Sequence, residues 1–195
     1  EREVAYLAGG CFWGMEDLLR KIPGVVETEA GYTGGWLDNP RYEDTHDSKS
    51  GHAEAVKVVF DPRVLGYQEL LEKWFFRMHD PTTLNRQGND AGTQYRSAIF
   101  TVGESQRATA LAAKKSVQAS GKVKGTIVTE IAPFAKWWPA LYKARRFPVF
   151  VMWESDLWST IKGRLEDAVK AAPRPTAGPL EALGKWWDAR LESLL

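Results

Sequence analysis

The sequence predicts an α+β domain built as two layers, a sheet covered by helices. Three observations carry this: strand-like and helix-like segments interleave, long polar loops separate several strands, and there is neither an internal repeat nor a low-complexity tract. A short apolar run over 4–8 reads as a buried strand ending at Gly9-Gly10. Over 13–21, Met15, Leu18 and Leu19 recur at helical spacing, with Ile22 beyond them, and Pro23-Gly24 stops the helix. A second strand is expected over 25–32, followed by a surface loop over 34–51 rich in Asp, Asn, Pro and Ser. The segment 52–60 alternates, with Glu54, Val56, Val58 and Phe60 on one face and Ala53, Ala55 and Lys57 on the other, as in a strand with one face well buried. An amphipathic helix over 67–78, a polar loop over 80–94, a strand over 95–102, a helix over 104–119 and a strand over 126–132 complete the pattern. The run Pro173-Arg174-Pro175-Thr176-Ala177-Gly178-Pro179 reads as a linker between two amphipathic helices at 156–171 and 180–194. The expected organisation is a domain over 1–150 and a helical extension over 151–195.

The bulk composition excludes several classes. The chain has 195 residues, 44% hydrophobic and 26% charged, with a net charge of +1, an ordinary globular balance. So small a charge makes no case for nucleic acid or an anionic membrane as partner, and no apolar run is long enough to suggest a membrane span. The single cysteine excludes a disulfide scaffold and fits a reducing compartment, so a cytoplasmic location is expected, with a removed leader before Glu1 left open. His46, His52 and His79 fall at no metal-binding spacing and read as structural. The glycines of Gly31 to Gly35 make no phosphate loop, because no Lys-Ser/Thr follows them. Six of the nine tryptophans lie after residue 136.

The one thiol, Cys11, sits in Gly9-Gly10-Cys11-Phe12-Trp13-Gly14. A cysteine at a Gly-Gly turn before a helix lies near the positive end of the helix dipole, where free N–H groups favour the thiolate, so a lowered pKa is expected. Phe12 and Trp13 would wall it with apolar surface. From these residues alone, a buried inert cysteine and a nucleophile beside an aromatic pocket both stay open.

The wider pattern goes further. The motif is followed by Gly31-Tyr32-Thr33-Gly34-Gly35, Asn39-Pro40-Arg41-Tyr42, Gly51-His52-Ala53-Glu54-Ala55-Val56, His79-Asp80-Pro81-Thr82-Thr83 and Arg86-Gln87-Gly88-Asn89-Asp90-Ala91-Gly92-Thr93-Gln94-Tyr95-Arg96-Ser97. In this order these blocks resemble the A-type peptide methionine sulfoxide reductases over about residues 3–132. The resemblance implies a ferredoxin-like plait at the centre of the sandwich. It also implies an oxidoreductase that returns the S epimer of methionine sulfoxide, free or in proteins, to methionine, a repair of oxidative damage.

By the same resemblance Cys11 attacks the sulfoxide sulfur and becomes a sulfenic acid. Glu54 is the acid that protonates the oxygen, which needs a buried setting that raises its pKa. Tyr42 and Tyr95 hydrogen-bond that oxygen, Phe12 and Trp13 hold the S-methyl group, and Asp90 positions the substrate or the site's water. No metal or bound cofactor is expected. Two other outcomes stay open beside this one: reduction of another small alkyl sulfoxide, and a redox sensor that does not turn over.

The chain departs from the family twice. Many members carry a second cysteine that attacks the sulfenic acid, but here His46 stands where that cysteine often sits and none follows. The oxidised Cys11 must then be rescued by an external thiol, glutathione with a glutaredoxin or a thioredoxin. Downstream, an Ala-Glu-x-Tyr-His-Gln-like segment usual in the family is replaced by Pro139-Ala140-Leu141-Tyr142-Lys143-Ala144-Arg145-Arg146 after Trp137-Trp138. This makes the substrate range and the role of 133–195 open points.

Overall fold

The computed structural model describes residues 1–46 and 48–140. The expected linker and both helices of the 151–195 extension lie outside the described residues. Six strands form one sheet in the order β7-β6-β1-β3-β2-β8. Its strands are β1 (Glu3–Gly9), β2 (Val25–Thr33), β3 (Ala53–Phe60), β6 (Ser97–Thr101), β7 (Glu130–Pro133) and β8 (Trp138–Pro139). All neighbours pair antiparallel except β6 with β7. The four central strands, β6-β1-β3-β2, with α1 (Phe12–Leu19) between β1 and β2 and the helix over 67–78 between β3 and β6, make the ferredoxin-like arrangement.

Alternation along the strands decides what covers each face. Ala5 and Leu7 of β1, Val56, Val58 and Phe60 of β3 and Ile99 of β6 share one buried cluster with Phe12, Met15 and Leu19 of α1, Leu70, Leu71 and Phe75 of the 67–78 helix, and Ala110 and Ala113 of α5 (Gly103–Ala119). Each large side chain buried here contributes about 1.5–3 kcal/mol. The opposite face is buried as well: Tyr6, Ala8, Ala53, Ala55, Ala98 and Phe100 meet Phe134 and Trp137. Tyr6 stacks on Phe134 at 3.8 Å between ring centroids. The Trp137 indole N–H donates to Glu29 at 2.7 Å. The sequence predicts one well-buried face for β3, whereas the returning chain covers both.

The helix over 67–78 is not uniform. A π-helical stretch, Leu70–Phe75, lies between α3 (Tyr67–Glu69) and α4 (Phe76–Met78). The two expected loops also contain structure. The first holds α2 (Tyr42–His46), which starts with Glu43 and Asp44 in its first turn. The second holds a small hairpin of β4 (Arg86–Gln87) and β5 (Asp90–Ala91), then a 3₁₀ turn over Thr93–Tyr95. Tyr95 therefore precedes β6 rather than beginning it.

Candidate active site

Strand β1 delivers the chain to the Gly9-Gly10 turn at the edge of the sheet's helical layer. Gly10 has φ +99°, a conformation that side chains disfavour, and Cys11 is the N-cap of α1 with φ −53° and ψ 118°. The Met15 N–H donates to the Cys11 carbonyl at 3.2 Å, closing the first turn. The thiol is half-buried and accepts from the Gly14 and Trp13 backbone amides. These amides lower its pKa, as the sequence leads one to expect, but they do not prevail. Burial, first, and then the negative charges of Glu54 and Asp90 push the thiol above its ordinary value. The expected lowering is thus overturned in the resting protein: loss of solvent outweighs the helix N-terminus.

Glu54 lies on the helix-facing side of β3 and is 2% exposed. The Phe12 N–H donates to its Oε2 at 3.1 Å, which brings the carboxyl to the residue next to Cys11. Burial raises the Glu54 pKa to about 7; the Phe12 amide opposes this and the Asp90 charge adds to it. The raised pKa expected from an apolar strand position is what the fold produces.

The remaining residues gather around this pair. Phe12 is 1% exposed and belongs to the core, with its ring 4.5 Å from Trp13 and 5.4 Å from Tyr32. Of the two aromatics after Cys11, Trp13 is the solvent-accessible one. Tyr95 is half-buried, and its hydroxyl is held well above the ordinary range by burial, then by the charges of Glu54, Asp90, Tyr42 and Cys11. Asp90, on β5 opposite Gln87, acts electrostatically on Cys11, Glu54 and Tyr95 alike. Tyr42 opens α2 and is 48% exposed, the most accessible of the set. The fold therefore brings Cys11, Glu54, Asp90 and Tyr95 within each other's field, with Tyr42 acting on Tyr95, although the five span 85 positions of sequence.

Tyr32 is a residue that sequence reasoning missed. It is the cross-strand partner of Glu54, is 2% exposed, and is held above the ordinary tyrosine range chiefly by burial and then by the Glu54 charge. Its place in the Gly31-Tyr32-Thr33 block was visible, but the pairing register that sets it beside Glu54 was not. Of the histidines, His52 accepts from the Gly35 N–H and donates to the Leu37 carbonyl, and His79 is bonded through both ring nitrogens. Both are structural. No group of three or more His, Cys, Asp or Glu able to hold a metal occurs among the described residues. A cavity of about 820 Å³ lined by Glu72, Phe76, Arg77, Asp80, Val117 and Lys124, among others, includes none of the candidate site residues. The site itself is built around a buried carboxyl.

Comparison with known proteins gives a consistent result. The family described as Peptide methionine sulfoxide reductase matches residues 3–147. The peptide methionine sulfoxide reductase MsrA of Mycolicibacterium gilvum is 56% identical over 140 residues, 72% of this chain and 80% of the relative. That of Methanosarcina acetivorans is 50% identical over 138 residues, 71% and 73% of the two chains. Among solved structures, methionine sulfoxide reductase A of Corynebacterium diphtheriae superposes with a TM-score of 0.63 at 40% identity, covering 71% of this chain and 69% of its own. Reduced Mxr1 of Saccharomyces cerevisiae gives 0.68 at 30% identity, covering 76% and 90%. Mxr1 in complex with Trx2 gives 0.54 at 28% identity, covering 76% and 87%. A family match over residues 3–147, relatives at 50% and 56% identity over 71% and 72% of the chain, and a preserved fold lead to one assignment: the chain belongs to the peptide methionine sulfoxide reductase family.

Proposed function

We propose that this protein reduces methionine-S-sulfoxide to methionine with Cys11 as nucleophile and Glu54 as acid. The observation that carries this reading is the 3.1 Å bond from the Phe12 N–H to Glu54, which ties a carboxyl with a pKa of about 7 to the turn bearing the thiol. The Cys11 sulfur donates an electron pair to the sulfoxide sulfur while the Glu54 proton goes to the oxygen. The S–O bond breaks as the oxygen passes to Cys11. Methionine leaves with its sulfur reduced by two electrons, and Cys11 is left as a sulfenic acid. Tyr95 and Tyr42 donate hydrogen bonds to the oxygen as charge grows on it. Trp13, backed by Phe12, receives the S-methyl group, a contact worth about 1–3 kcal/mol of discrimination, and Asp90 orients the substrate.

With one cysteine in the chain, resolution comes from outside. A thiol attacks the sulfenic sulfur, water leaves, and a mixed disulfide forms at Cys11. A second thiol then releases reduced Cys11. The thiol is that of a thioredoxin-type protein, by analogy with Mxr1 and Trx2, or of glutathione followed by a glutaredoxin. The test is turnover of S- and R-methionine sulfoxide with dithiothreitol, and mass spectrometry of Cys11 after one turnover with and without glutathione. S-epimer turnover that vanishes in Cys11→Ser supports the reading, and turnover surviving that substitution overturns it. A glutathione adduct on Cys11 supports external resolution.

A further inference from the structure

The turn that carries Cys11 is packed from behind by two side chains outside the reaction just described. A Cβ on Gly9 would meet Met15 Cε, from α1, and lie 2.9 Å from Cγ of His79, and one on Gly10 would lie 2.6 Å from Cγ of Gln87. Neither glycine leaves space, so both side chains rest directly on the turn's backbone.

Both are themselves held. His79 Nδ1 pairs with the Phe75 carbonyl at 2.9 Å and Nε2 with Ser97 Oγ at 2.7 Å. Ser97 Oγ bonds Thr129 Oγ1 at 2.7 Å, and Ser97 is the cross-strand partner of Gly9. The His79 ring also packs 4.5 Å from Phe75. Gln87 uses both ends of its amide on one residue: its Oε1 accepts from the Asp80 N–H at 2.8 Å and its Nε2 donates to the Asp80 carbonyl at 3.0 Å. Both amide ends are engaged with backbone, and the Cβ and Cγ press on Gly10.

We propose that His79 and Gln87 are positioning residues that clamp the backbone of the buried Gly9-Gly10 turn, holding the Cys11 sulfur in line with the first-turn amides of α1 and with Glu54. This rests on Cys11 being the attacking thiol. The physical reason is leverage. Gly10 is the most permissive residue in the chain leading to Cys11, a small rotation there swings the sulfur, and a misplacement of 1 Å costs on the order of 10²-fold in rate.

The test uses the full chain with Gln87→Ala, Gln87→Met and His79→Asn. Two readouts are taken: the pH profile of Cys11 alkylation by iodoacetamide without substrate, and the single-turnover rate on methionine-S-sulfoxide at saturation. Gln87→Ala is expected to move the alkylation profile to higher pH, as the sulfur leaves the Trp13 and Gly14 amides, and to slow the single turnover about 10- to 100-fold. Gln87→Met keeps the atoms that touch Gly10 and recovers most of both. His79→Asn moves both in the same direction as Gln87→Ala. Wild-type profiles and rates in Gln87→Ala and His79→Asn, with only a lower urea midpoint, would overturn the clamp and leave these residues as packing alone. The alkylation profile needs no turnover, so it reads the clamp even if the nucleophile assignment fails in Cys11→Ser.

Discussion

Cys11 and Glu54 are both pushed toward their protonated forms, and the proposed chemistry needs only one of them protonated. The reactive arrangement, carboxylic acid beside thiolate, has the same proton count as carboxylate beside thiol. It is therefore a fixed fraction of the molecules at any pH between the two pKa values. The rate constant kcat/KM is expected to rise with pH up to about 7, hold level, and fall again once the thiol ionises as well. The acidic limb then belongs to Glu54 even though Glu54 works as an acid. In Glu54→Gln only the thiol titrates, so the limb near 7 should disappear and the rate should climb until Cys11 ionises, at a level about 10²–10⁴-fold lower. A pH series of kcat/KM for both proteins checks this. A limb near 7 that survives in Glu54→Gln would remove Glu54 from the mechanism.

Elements set these residues in place, and their tolerance follows from packing. Gly9 ends β1 with Met15 Cε and the His79 ring where a methyl group would go. Gly9→Ala should cost about 1–3 kcal/mol in urea unfolding, the usual penalty for overpacking. Phe75, fully buried in the π-helical stretch, packs against both Phe76 and His79. Phe75→Ala should cost about 3–5 kcal/mol, while Trp74→Ala one position earlier, 36% exposed, should cost far less. A comparison of the two urea midpoints tests the burial pattern of the stretch directly. The 3.6-residue period over 67–78 was legible in the sequence. The π-helical turn was not, because Trp74, Phe75 and Phe76 are all apolar and fit either a four- or a five-residue spacing from Leu70 and Leu71.

At the scale of the whole molecule, two buried groups pull stability in opposite directions with pH. Glu54 titrates in the fold at about 7 rather than 4.5, so its contribution is greatest below 4.5 and is lost as pH rises to about 7. Burial lowers the His79 pKa from 6.5 to about 4, so its contribution is present above 6.5 and is lost as pH falls toward 4. Each shift is worth about 3 kcal/mol, and over the shared window the two nearly cancel. Glu54→Gln should therefore expose a stability that rises from pH 4 to 6.5, and His79→Asn one that falls from 4.5 to 7. Urea midpoints of the three proteins across this range measure it. Parallel curves would show that neither group is buried as described.

Residue type and spacing pointed to the family and its candidate residues, and the roles of those residues came from the resemblance. A lone thiol at a Gly-Gly turn before a helix, an acid in an alternating apolar strand and the ordered motif blocks were legible because residue type and spacing are local properties. Period-2 and period-3.6 patterns also located the central strands along the chain, because they follow from burial of one side of each element, while the plait arrangement of those strands came only from the family resemblance. The tertiary structure decided the rest. It placed Tyr32 beside Glu54 through strand register, covered the second sheet face with Phe134 and Trp137, and set His79 and Gln87 against the Gly9-Gly10 turn. It also reversed the expected direction for Cys11: the helix N-terminus is a local feature, but the burial and the Glu54 and Asp90 charges that outweigh it come from β3 and β5, remote in sequence and adjacent only once the chain is folded.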